Sequence, residues 1–216
     1  MKPGPVAVGT VLVTIAFSGC GGGSSSTPSS PTTASSGTGS AALTPPPGTP
    51  AALRGPHGGV LLAGDLPGFV PQSYRPPSTS AQSEVAEFPP ERRASEAARL
   101  KALGFVAGIS EQLGPAQGIG ATGEAISLVV QFRSAHGADG EVAAQLKQAL
   151  ARGESAFAVP GIPGARGFGS STASPPDANV AFPIGAYYYL VGFGSSAPTR
   201  SQLITAAQRL YRRVRG

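Results

Sequence analysis

Cysteine occurs once in the 216 residues, at Cys20, and histidine twice, at His57 and His136. A single thiol closes no intramolecular disulfide and builds no cysteine-rich metal site, so the fold must hold without covalent staples. Neither histidine has a second histidine or cysteine at ligand spacing, which excludes the common zinc sets. A His-based triad would have to recruit one of these two, and His136 with Asp139 lacks an identifiable serine nucleophile. No metal and no cofactor are therefore expected. Lysine is confined to Lys2, Lys101 and Lys147, and the remaining basic residues are arginine. With abundant Ala, Gly and Pro, this is the composition of a high-GC bacterial genome. The net charge of +5 is not concentrated on one recognition element as nucleic-acid binding requires, so no nucleic-acid partner is expected.

The N-terminus runs from Lys2 through an uncharged stretch, Val6 to Phe17, to Ser18, Gly19 and Cys20. A charged start, an apolar segment too short for a permanent span, and small residues at the end are the order of a signal peptide. Phe17-Ser18-Gly19-Cys20 resembles the bacterial lipobox, with Phe17 where leucine is usual. That resemblance implies cleavage after Gly19 and a diacylglyceryl group on Cys20, an anchor whose acyl chains make detachment negligible. Residues 21–53 contain no charge and no aromatic ring and consist largely of Gly, Ser, Thr, Pro and Ala. Such a segment cannot bury enough surface to offset its ordering entropy and acts as a tether. The expected organisation is a signal peptide over 1–19, a lipidated tether over 20–53 and one globular domain over 54–216, facing the extracytoplasmic side of a membrane.

The domain pattern predicts the α+β class: a mostly antiparallel sheet with about three helices packed mainly on one side. The first helix, Glu91 to Leu103, follows Pro89-Pro90 and stops at Gly104. A second is expected from Asp139 as N-cap to Gly153. The third opens with the capping box Thr199-Arg200-Ser201-Gln202 and carries Leu203, Ala207, Leu210 and Val214 as a stripe. Alternation over Glu124 to Arg133 puts Ile126, Leu128, Val130 and Phe132 on one strand face. Further strands are expected over Phe105 to Gln112, Ser155 to Val159, Ala165 to Phe168, Asn179 to Phe182 and Ala186 to Phe193, with Pro183-Ile184-Gly185 as a hairpin turn.

Several motifs have a chemical reading and a plainer one. Gly118-Ile119-Gly120-Ala121-Thr122-Gly123 matches a dinucleotide-binding string, but a strand follows it where a helix is needed, and a turn explains the glycines better. Gly-Phe-Gly-Ser-Ser occurs at Gly167 to Ser171 and at Gly192 to Ser196 without the elbow of an α/β hydrolase, which fits two strand exits. Glu111 and Glu124 are the one acidic pair a hairpin could bring opposite each other. Tyr187, Tyr188 and Tyr189 alternate across a strand and serve either as core or, with Phe193, as the wall of a ligand groove beside the last helix. Arg200, Arg209, Arg212, Arg213 and Arg215, with no acid after Asp177, either satisfy the last helix's dipole or face anionic lipid.

The phrases Leu66-Pro67-Gly68-Phe69, Leu103-Gly104-Phe105, Val159 to Ala165 and Asn179-Val180-Ala181-Phe182 resemble uncharacterised lipoproteins of high-GC actinobacteria. More distantly, residues 60–216 are similar to the Mog1/PsbP-like sheet-and-helix domains of mycobacterial lipoproteins. The resemblance implies a non-catalytic binding or accessory module in the cell envelope, whose partner is another envelope protein or a small apolar ligand. It transfers no functional residue. The alternative is a cell-envelope hydrolase whose site is not visible from residue spacing.

Overall fold

The computed structural model describes residues 45–54, 58–61, 64–116, 123–172, 176–195 and 199–216. Its framework comes from alternating strands. β1 (Phe69–Tyr74), β2 (Phe105–Pro115), β3 (Gly123–Phe132), β4 (Ser155–Phe157), β5 (Arg166–Gly169), β6 (Asp177–Ile184) and β7 (Tyr187–Ser195) form one seven-stranded sheet in the order β1-β2-β3-β7-β6-β5-β4. Every neighbouring pair is antiparallel. In the central register Ile109 lies opposite Val129, Val129 opposite Tyr189, and Tyr189 opposite Phe182. The expected turn at Pro183-Ile184-Gly185 is shorter. Pro183 and Ile184 belong to β6, beyond Ala181, where β5 begins with Arg166 opposite it, and the chain reverses at Gly185 with φ 54°. The edges are blunted by the three residues of β4 and by Pro71 in β1.

Helices cover both faces of this sheet, which corrects the expectation of one covered side. On one face Ile109, Val129, Val180, Phe182, Tyr189 and Val191 join a core with Leu203, Ala206, Ala207, Leu210 and Val214 of α4 (Arg200–Arg215). On the other, Val130, Phe132, Phe168, Ala181 and Tyr188 pack with residues of α2 (Pro90–Ala102) and α3 (Ala135–Ala151). The alternation in β3 exposed only half of this arrangement. Leu128, Val130 and Phe132 mark the α3 side, while Ala125, Ser127 and Val129 on the opposite face are also buried. Ser127 reads as an outward polar residue in sequence. It is buried with its Oγ accepting a hydrogen bond from the Leu61 amide at 3.0 Å.

Local signals explain where the helices begin and end. α2 starts with Pro90 at its first position and ends before Gly104 at φ 79°, the left-handed stop that glycine adopts without strain. α4 opens with the capping box of Thr199 and Gln202. α3 begins five residues earlier than expected, because Ser134, not Asp139, is the N-cap and accepts from the Gly137 amide. Gly137 speaks against a helix by propensity, yet a Cβ there would lie 2.2 Å from the Leu103 carbonyl oxygen, so contact with the end of α2 requires it. Between β1 and α2, a four-residue helix α1 (Ala81–Glu84) is capped by Ser80 and Ser83.

Residues ahead of position 54 also contribute to the core. A 3-10 turn over Ala51–Leu53 places Leu53 in the α4-side core with no exposed surface, and Thr49 is buried beside it. The Pro-, Gly- and Ala-rich, uncharged composition of this stretch hid a single anchoring leucine. Leu53→Ala in the full chain should therefore cost about 2–5 kcal/mol, the range for truncating a buried leucine. Denaturant unfolding measures it, and a loss no larger than that of a surface substitution would show that residues 45–54 are not part of the fold.

Candidate functional site

The four aromatic residues expected to wall a groove are divided by the sheet. Tyr187, Tyr189 and Phe193 face α4, and Tyr188 points to the α2–α3 side. Tyr189 has no exposed surface and stacks on Phe182 with ring centroids 5.1 Å apart. Phe193 is buried in the same core, and Tyr187 alone is half-buried. The space between α4 and the sheet is filled by Leu203, Ala206, Ala207 and Leu210, so these aromatic rings act there as packing. Burial raises the phenol pKa values of both Tyr188 and Tyr189 well above the ordinary range.

At the C-terminal end of α4 lies a polar group that sequence spacing does not reveal. Glu111 of β2 faces the α4 side between Ile109 and Leu113 with 1% exposure, and its Oε2 has no hydrogen-bond partner among the described residues. Burial pushes its carboxyl up to about 8; the positive charge of Arg213 works against that rise, and Asp65 adds to it. Tyr74 on β1 is raised to about 12, first by burial and then by the charge of Glu111. Arg213 itself is committed to its own fold. Its Nη2 donates to the Asp65 carboxylate at 2.9 Å and to the Val60 carbonyl at 2.6 Å. One turn earlier, Arg209 Nη1 donates to the Gly64 carbonyl at 2.9 Å. Two arginines of the basic cluster therefore clamp the segment around Val60 to Asp65 onto α4.

A second polar cluster joins α2 to α3. Arg99 pairs with both Glu141 and Glu96, Arg92 donates to Glu96 at 3.1 Å, and the Gln148 amide donates to Glu96 at 3.1 Å. Burial works against the Glu96 charge, but hydrogen bonds from Arg99 and Arg92 outweigh it and hold the carboxyl below its usual range. Glu84 of α1 lies over Gly108, where a Cβ would come within 2.6 Å of its Oε2. Burial raises the Glu84 carboxyl, with a Ser78 hydrogen bond opposing the rise. The Tyr188 hydroxyl is buried without a hydrogen-bond partner among the described residues, within electrostatic reach of Glu141, Arg99 and Glu84. Two carboxyls in unlike surroundings beside a phenol can divide acid and base roles. The chemical signal for this cluster was absent from spacing, since Glu84, Glu141 and Tyr188 are far apart in the chain.

The acidic pair read from sequence does not form. Glu111 is opposite Ser127, whereas Glu124 is opposite Gly194 and exposed. His136 is exposed on the first turn of α3 rather than in a loop. The first Gly-Phe-Gly-Ser-Ser copy leaves β5, and the described part of the second lies at the end of β7. Cys20, His57 and residues 118–122 lie outside the described residues. Among the described residues no group of three or more His, Cys, Asp or Glu side chains is arranged to hold a metal ion, and no helix is long and apolar enough to cross a membrane. Comparison of the chain with protein-family models, with curated proteins and with solved structures finds no match.

The Glu111 site makes stability depend on pH with a defined sign. The carboxyl titrates near 4.5 when unfolded and near 8 when folded. Between those values the folded chain keeps a proton that the unfolded chain has lost, so stability falls as pH rises through that window. Glu111→Gln removes the titration while keeping the shape. The melting temperature of the variant relative to the wild type should rise from pH 5 to pH 8, and a pH-independent difference would contradict this environment for Glu111.

Proposed function

We propose that the protein is a bacterial lipoprotein that holds a non-catalytic binding or accessory module at the outer side of a membrane. The observation that carries this reading is the order Lys2, Val6 to Phe17, and Ser18-Gly19-Cys20. A chain with one cysteine, placed directly after a short apolar segment and two small residues, has its thiol where an acyl anchor belongs. The domain's polar chemistry supports a module. Glu96, Glu141 and Asp65 are held by Arg92, Arg99 and Arg213, so these charges are spent on joining elements of the fold. Of the aromatic residues first considered for ligand contact, Tyr187 keeps ring surface toward solvent, at the hairpin opposite Ile184. An envelope protein or a small apolar ligand would meet the module there.

A hydrolase is the second reading, favoured by one observation: Glu84 and Glu141 share the surroundings of the Tyr188 hydroxyl, which has no hydrogen-bond partner among the described residues. Turnover of a generic ester, phosphate or glycoside that disappears in both Glu84→Gln and Glu141→Gln would favour it over the module.

Metabolic labelling tests the anchor. Labelled palmitate should enter the wild-type protein and be absent from Cys20→Ala, which should be released or keep its signal segment. Label persisting in the alanine variant would refute acylation at Cys20.

A further inference from the structure

The charges of the domain are sorted between the two faces of the sheet. On the α4 side the acids are Asp65, which is paired with Arg213, and Glu111, which is buried and whose carboxyl is raised by that burial. The remaining acids lie on α1, α2 and α3, in the connections beside them, or at strand positions facing that side, as Glu124 and Asp177 do. There they are mixed with basic residues such as Arg75, Arg92 and Arg99. The excess positive charge is thus carried by the α4 side.

All five arginines of α4 are exposed; Arg209 and Arg213 donate to Gly64, Val60 and Asp65, which leaves Arg200, Arg212 and Arg215. Arg200 lies over the Phe157 ring at 4.4 Å and Arg215 over Tyr211 at 5.8 Å. A stacked guanidinium keeps its full charge while its orientation is fixed. No acid within salt-bridge distance of these three is found among the described residues. A second observation is independent of charge: the chain enters the domain on this same face, through Thr49 and the turn that seats Leu53 beneath the α4-side core. Residues 21–44 separate that entry from Cys20 in the sequence.

We infer that the exposed face of α4, with Arg200, Arg212 and Arg215, is a docking surface for the anionic phospholipid of the membrane that holds Cys20. The inference rests on the lipoprotein reading for its setting. The anchor raises the local concentration of lipid headgroups, and the arginine face orients the domain, leaving the α2–α3 side pointing away from the bilayer. Each arginine close to an anionic surface adds a modest attraction that salt screens.

The test uses the full chain carrying Cys20→Ala, so that no acyl group contributes, with vesicles of one part phosphatidylglycerol to two parts phosphatidylcholine. At low salt, the variant Arg200→Glu/Arg212→Glu/Arg215→Glu should bind these vesicles about tenfold more weakly or worse. The corresponding lysine variant should retain binding, and vesicles of phosphatidylcholine alone should not distinguish the three chains. Because the N-terminal segment is common to all of them, the difference reports on α4. If the triple glutamate variant fails to fold, Arg212→Glu alone, at a side chain with no polar partner among the described residues, should still weaken binding. Equal binding of glutamate and parent chains, or equal binding of the parent chain to both vesicle types, would overturn the inference. Loss of palmitate labelling at Cys20 would instead refute the lipoprotein reading and leave this vesicle result intact.

Discussion

Tyr188 and Tyr189 are adjacent, point to opposite faces of β7, and are both fully buried. The rest of the structure depends on that constraint. A strand buried on both faces needs a separate covering layer for each, and the chain supplies them from different parts of the sequence. α4 with Leu53, Leu61 and Leu66 closes one side; α2 and α3 close the other. A protein without disulfides can hold such a sheet because two cores, rather than one, contribute burial. The cost is that two large phenols lose solvent, and the Tyr188 hydroxyl loses it without a hydrogen-bond partner among the described residues.

Polar interactions then act as pins at the rims of these cores. Arg99 between Glu96 and Glu141 fixes α2 against α3, and Arg209 and Arg213 hold the segment around Val60 to Asp65 against α4. Removing Arg99 leaves the buried carboxylates of Glu96 and Glu141 without their counter-charge, a change that destabilises the fold. The same logic separates the arginines of α4 by task. Arg209 and Arg213 serve the fold, while Arg200, Arg212 and Arg215 remain available at its surface.

Where residue periodicity had one meaning, the fold was legible. The capping box at Thr199 and Gln202, the stop at Gly104 and the alternation of Ile126 to Phe132 all correspond to observed elements. The second buried face was not legible, because Ser127 and Ala125 look like outward positions until a second layer covers them. α3 begins early because contact with Leu103 overrides the poor helix propensity of Gly137. The candidate polar sites were hidden for a different reason. Glu111, Asp65 and Arg213 come from three separate regions, as do Glu84, Glu141 and Tyr188, and only the folded domain brings each set together. The aromatic run at Tyr187 to Tyr189 was conspicuous, yet its alternation sends the rings to two different cores.

The proposed function joins acylation at Cys20 to lipid contact through the arginines of α4, and on that proposal the α2–α3 side is the one turned away from the bilayer. The most direct measurement places paramagnetic labels on the acylated protein in an anionic bilayer. Cys20 is the sole native cysteine, so once it is acylated a new thiol can be labelled cleanly at Ser201 on α4 or at Ser95 on α2, both exposed positions. Relaxation by a headgroup-chelated paramagnetic ion should be strong at residue 201 and weak at residue 95. Equal relaxation at the two positions, or the reverse order, would contradict the account.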